Sequence, residues 1–148
     1  MKIHSPSVLV QETGTPTGRG VFATRAYTQG ETIEICPVIL FTGQFSEIPA
    51  EVRQLLFHWA FSPNGGNIHC LALGYGSLYN HQNPANMRYE ALVEARGLRF
   101  SAVRAIEGGE ELTVNYNSTG GEHRSEGGAW FDRMGVQPFE ARSEREES

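Results

Sequence analysis

The stretch Gly74-Tyr75-Gly76-Ser77-Leu78-Tyr79-Asn80-His81-Gln82-Asn83-Pro84-Ala85-Asn86 constrains this chain more than any other. Two glycines and a proline argue against a helix or a central strand. Tyr75, Leu78 and Tyr79 require burial, so a plain solvated loop does not fit either. A buried irregular segment must find partners for its backbone N–H and C=O groups. The side chains of Asn80, His81, Gln82, Asn83 and Asn86 can supply them. From its residues alone the stretch fits a buried structural loop as well as a functional site.

The flanking sequence reads as short strands and turns. Ser7 to Glu12 alternates weakly, as a first strand would. Thr13 to Gly20 is a turn-rich loop that runs straight into Val21-Phe22-Ala23. Its Gly18-Arg19-Gly20 lets the main chain take positive φ and lets a ligand come close, though a tight hairpin turn needs the same residues. Thr32 to Phe41 is a β-branched run with a bend or an edge expected at Pro37. Ser46 to Glu51 looks like a helix start, and Val52, Leu55, Leu56 and Trp59 follow at helical spacing, which predicts one helix there. Phe57 and Phe61 add to its packing face. Ile68 to Leu73 leads into the organising stretch as a short apolar strand. Met87 to Val93 and Leu98 to Val103 form a hairpin about Arg96-Gly97, and Glu111 to Tyr116 alternates as a last strand. Residues 117–128 read as a loop, Trp130-Phe131 as an aromatic pair needing a dock, and 140–148 as a charged, disordered tail. Many short strands, one helix and no βαβ rhythm disfavour a doubly wound sheet and predict several small sheets around one helix.

Composition narrows the partners. The 148 residues suit one domain, and 17 acidic against 12 basic side chains give a net charge of -5. Nucleic-acid binders usually carry a basic stripe, so a basic protein or peptide partner fits better. The two cysteines, Cys36 and Cys70, lie in apolar runs, lack the spacing of a zinc pair and read as reduced core residues. No segment reads as a signal peptide or a membrane span, so the expected location is intracellular.

Three stretches act together: Gly18-Arg19-Gly20-Val21-Phe22-Ala23; Tyr79-Asn80-His81 with Pro84 and Asn86; and Gly109-Glu110-Glu111-Leu112-Thr113-Val114-Asn115-Tyr116. Their order and separation resemble the SET-domain protein lysine methyltransferases over about residues 8–131. Ala72-Leu73-Gly74-Tyr75-Gly76 before the Asn-His pair is most similar to compact single-domain viral and bacterial members. The resemblance implies a mainly β fold, the β-clip of several small sheets with a knot-like crossing and one short helix, over a domain of about 1–139. It implies S-adenosylmethionine as cofactor and methyl transfer to a lysine amine of a protein substrate. It also implies roles: Gly18, Arg19 and Gly20 beside the methionyl group, Tyr79, Asn80 and His81 holding the cofactor, and Tyr116 as the active-site tyrosine. Tyr75, Tyr89, Trp130 and Trp59 are the expected walls of the lysine channel. A homodimer stays open, since some compact members form one.

The residues agree with that chemistry. Methyl transfer from a sulfonium to an amine is an in-line displacement that needs alignment, dehydration and a neutral amine, and no metal. Aromatic walls lower a lysine pKa by desolvation and attract its cationic forms. A tyrosine, with an ordinary pKa of about 10, is an orienting group rather than a base. The chain departs from the family pattern at several places, with Gln82 where Ser is usual and Val114 where an aromatic is common; at two more, Asn115 stands where Asp is usual and Pro84-Ala85-Asn86 replaces adjacent Pro-Asn. Asn115 and the shifted proline motivate an alternative, an inactive binding module that keeps the cofactor pocket. A metal enzyme using His58, His69, His81 and Glu111 is disfavoured because these residues lack tight ligand spacing.

Overall fold

The computed structural model describes residues 3–63 and 66–116. The expectations for Trp130-Phe131, the 117–128 loop and the 140–148 tail lie outside the described residues. Among the described residues the chain forms three sheets. Strands β1 (Val8–Glu12) and β2 (Arg19–Ala23) make an antiparallel hairpin. The Thr13 N–H and hydroxyl both donate to the Gly18 carbonyl, at 2.8 and 2.6 Å, and close its turn.

The central sheet has the order β4 (Leu56–Phe61), β5 (Asn67–Ala72), β3 (Thr32–Phe41), β8 (Gly97–Ala102), β7 (Met87–Leu92), with all neighbours antiparallel. β3 changes partner at the expected proline. Thr32 to Pro37 pairs with β8, and Val38 to Phe41 pairs with β5. A residue without an N–H is tolerated inside the sheet at such a change of partner. The third sheet is the crossing that the resemblance implied. β6 (Asn80–His81) and β9 (Thr113–Val114) lie parallel, with Asn80 opposite Thr113 and His81 opposite Val114. The last strand is shorter than the expected span of Glu111 to Tyr116, and the residues around it pair by single bridges and side chains instead.

The predicted helix is corrected. A three-residue 3-10 turn (Phe45–Glu47) and one α-helical turn, α1 (Ala50–Arg53), are all that forms, and Leu56 to Phe61 is a strand. The run carries three aromatics, and Phe57 and Trp59, two residues apart, satisfy strand alternation as well as the helical spacing did. Pairing with β5 decides between the two, with a bulge between His58 and Ala60. Phe57 and Trp59 are buried in the core as a result, whereas Phe61 is 71% exposed and does not pack there.

Cys36 and Cys70 are buried free thiols, and burial pushes both up to about 12, which leaves them unreactive. Gly74 enters the organising stretch with φ +68°, and a Cβ there would lie 2.6 Å from Glu34 Oε2. Gly74→Ala is therefore expected to cost about 2–3 kcal/mol, combining left-handed strain with a displaced buried carboxylate. Urea denaturation measures this, and a loss under about 0.5 kcal/mol would show that the turn relaxes freely.

Candidate active site

Three segments that are far apart in sequence meet at one corner. The β1–β2 turn and the start of β2 bring Gly18 and Gly20, β6 brings Asn80 and His81, and the segment from Glu111 to Tyr116 runs between them. The Leu112 N–H donates to the Val21 carbonyl at 2.7 Å, and Phe22 bridges Glu111. The Gln82 N–H donates to the Val114 carbonyl at 3.0 Å on the other side.

Asn80 joins all three segments. Its Nδ2 donates to the Arg19 carbonyl and to Glu111 Oε2, both at 2.8 Å. The reversed amide would set an oxygen against two acceptors, so this orientation is the favourable one. Oδ1 remains as an acceptor. Gly20 sits against the same group, because a Cβ there would lie 2.4 Å from Glu111 Oε2. Gly18 is a glycine for another reason. Its φ is +77°, while the space beside it is open. The two glycines of one motif thus answer to conformation and to close approach, respectively.

Tyr116 closes the corner. Its hydroxyl donates to the Tyr79 carbonyl at 2.7 Å, and its N–H donates to His81 Nδ1 at 3.2 Å. The two rings lie 5.3 Å apart. Burial, reinforced by the nearby Glu111 carboxylate, raises the Tyr116 phenol well above its usual value. It is a neutral hydroxyl whose proton is committed to a carbonyl, so its lone pairs are what it offers.

Asn86 locks the crossing. Its Nδ2 donates to the Glu111 carbonyl at 2.8 Å, and its Oδ1 accepts from the Thr113 N–H at 2.9 Å. Its own N–H donates to Thr113 Oγ1 at 3.3 Å. The insertion of Ala85 leaves this role intact, with the Asn83-Pro84 peptide in the cis form. Asn115 is 1% exposed. At so buried a place an amide avoids the cost of burying a carboxylate.

The expected channel residues divide. Tyr75 is half-buried at the start of the 3-10 turn Gly76–Leu78. Tyr89 and Trp59 are buried core members, and burial pushes the Tyr89 phenol up to about 12. Tyr89 packs on Phe57 at 4.9 Å and connects through Phe100 to the Tyr79 ring, 4.8 Å from Phe100. His58 and His69 face each other across β4 and β5, away from His81 in the crossing.

Sequence reasoning missed two carboxylates. Glu111 entered as a member of the last motif and as a metal-ligand candidate, with no role of its own at the site, yet here it accepts from Asn80. Glu34 did not enter at all. It is 3% exposed, and accepts from the Tyr79 hydroxyl at 2.8 Å and the Tyr75 N–H at 3.0 Å. The signal available was a single charge inside the apolar run Ile33-Glu34-Ile35-Cys36. A polar groove of about 320 Å³ lies elsewhere, lined by Thr32, Arg88, Glu90, Arg99 and Ser101 among others, and shares none of the residues of this corner.

Comparison with known proteins points the same way. The family model for the SET domain matches residues 18–117. The histone-lysine N-methyltransferase, H3 lysine-37 specific, of Schizosaccharomyces pombe is 29% identical over 118 residues, covering 78% of this chain and 71% of that protein. A Plasmodium falciparum protein assigned as a histone methyltransferase superposes with a TM-score of 0.60 at 25% identity, over 76% of this chain and 95% of that one. A humanized mutant of the Chaetomium thermophilum Polycomb Repressive Complex 2 matches in fold, with a TM-score of 0.60 at 21% identity over 78% of this chain and 15% of the larger one.

Proposed function

From the premise that this chain belongs to the SET-domain family, we propose that it methylates the side-chain amine of lysine in a protein substrate, with S-adenosylmethionine as donor. The observation that carries this reading is the Tyr116 hydroxyl held on the Tyr79 carbonyl, beside the corner where Asn80 ties Arg19 to Glu111.

The residues of the corner fit the cofactor's polar end. Asn80 Oδ1 and the Glu111 carboxylate are acceptors suited to an ammonium, and the main chain at Gly18, Arg19 and Gly20 stands beside them with no side chain on either glycine. Tyr79 and His81 flank Asn80 as backbone and ring. When bound, S-adenosylmethionine supplies a methyl group made electrophilic by its sulfonium. The protein's own part is alignment. With its proton on a carbonyl, the Tyr116 oxygen accepts an amine N–H and so turns the amine lone pair into line. Apolar and aromatic surroundings, to which Tyr75, Tyr89 and Trp59 are assigned, favour the neutral amine that must attack.

A basic segment such as a histone tail suits the net charge of -5 and the histone-methyltransferase name of the 29%-identical relative. The alternative, a binding module without turnover, rested on Asn115 and the shifted Pro84; Asn115 is buried, where an amide costs less than a carboxylate, and Asn86 still bonds across the crossing despite the shift.

The test combines calorimetry with mass spectrometry. S-adenosylhomocysteine should bind the wild type, and Asn80→Ala should weaken binding by about tenfold or more, equal to about 1.4 kcal/mol. Histone H3 or a lysine-rich peptide incubated with S-adenosylmethionine should gain methyl groups on lysine. Cofactor binding with no transfer to any histone or lysate protein would favour the binding module instead.

A further inference from the structure

We propose that Glu34 is a positioning residue for methyl transfer: its buried carboxylate holds Tyr79, and through Tyr79 it sets the carbonyl that orients the Tyr116 hydroxyl. The inference rests on the methyl-transfer reading and extends it to a residue outside the three motifs.

The path is continuous. Glu34 Oε2 accepts from the Tyr75 N–H at 3.0 Å, at the start of the 3-10 turn. Glu34 Oε1 accepts from the Tyr79 hydroxyl at 2.8 Å, just past its end. One carboxylate therefore clamps both ends of the segment 75–79. The Tyr79 ring is 1% exposed and packed on Phe100 at 4.8 Å, so its hydroxyl sits at a fixed depth. With the ring pinned at its tip, the Tyr79 main chain has little freedom to turn. Its carbonyl is the acceptor of Tyr116, at 2.7 Å, and the next residue is Asn80.

A carboxylate is an expensive way to hold a loop. No Lys, Arg or His among the described residues forms an ion pair with Glu34 at 3% exposure. An apolar side chain at this position of β3 would serve packing alone at lower cost. What the carboxylate adds is two directed acceptors 41 and 45 residues from their donors. Gly74 is shaped around it, since a Cβ there would meet Oε2 at 2.6 Å.

The experiment compares Glu34→Leu and Tyr79→Phe with the wild type in single-turnover assays. Leu keeps much of the volume and removes both acceptors, so the bonds to the Tyr75 N–H and the Tyr79 hydroxyl are both lost. Phe keeps the ring and loses its tether. Both should lower the methyl-transfer rate about tenfold, and the Glu34 variant should keep S-adenosylhomocysteine affinity within about twofold. In a Tyr116→Phe background the same changes should add less than about twofold, because the group they position is gone. Wild-type rates in both variants, or losses that multiply fully with Tyr116→Phe, would overturn the positioning role. Should Glu34→Leu not fold, Tyr79→Phe carries the test by itself. A wild type that binds cofactor yet transfers nothing would refute the methyl-transfer reading itself, and this inference with it.

Discussion

Tyr116→Phe is expected to lower the methyl-transfer rate about a hundredfold or more while leaving the protein folded. Only the hydroxyl is removed, and it donates a hydrogen bond to the Tyr79 carbonyl. Losing that bond costs about 1 kcal/mol of stability. Its chemical duty is larger, because an amine that rotates freely seldom points its lone pair at the methyl carbon. Thermal melts and single-turnover rates separate the two effects. A variant within about threefold of the wild-type rate would remove Tyr116 from the chemistry.

The same residue sets a pH signature. Burial and Glu111 raise its phenol, so the neutral form is the one favoured in the fold. A raised pKa means that Tyr116 keeps its proton throughout the range in which a lysine amine, ordinarily near about 10.4, loses its own. The rate at low peptide concentration should therefore climb with pH at unit slope and level off as the amine becomes neutral, with no falling limb below about pH 10. A falling limb that disappears in Tyr116→Phe would instead mean that the phenol ionises in the working range.

Asn86→Leu is expected to destabilise the protein by about 3–5 kcal/mol, a large share of the total for one domain. Asn86 is 4% exposed, and its side chain satisfies the Glu111 carbonyl and the Thr113 N–H across the crossing. Leucine fills the volume and leaves both main-chain groups buried without those partners. Asn86→Asp keeps the acceptor for Thr113 but turns an oxygen towards the Glu111 carbonyl, so it should fall between leucine and the wild type. Chemical denaturation reads all three. A loss below about 1 kcal/mol for leucine would mean that water or a shifted main chain takes over.

How far the sequence could be read depends on how local each decision was. The turn at Thr13 to Gly20, the hairpin about Arg96-Gly97 and the bend at Pro37 were legible because glycine and proline act on their own backbone. Strands β3, β7 and β8 were legible because their residues alternate or branch at Cβ within a few positions. The three motifs were legible as types and order, and the resemblance they carry named the fold.

Leu56 to Phe61 could not be settled in the same way. Its apolar spacing fits a helix and a strand alike, and only the free edge of β5 chose between them. The roles of Asn80 and Asn86 needed the fold as well. An amide announces that it will bond, but its partners lie 61 and 31 residues away for Asn80 and 25 and 27 away for Asn86. Glu34 shows the limit most plainly. Along the chain it is one charge in an apolar strand. Its meaning comes from Tyr75 and Tyr79, which the tertiary structure folds over it. Residue types and their spacing thus determined which strands, turns and motifs this chain has. Which side chains meet at the corner was decided by the pairing of distant segments, because a hydrogen bond depends on position in space and not on separation along the chain.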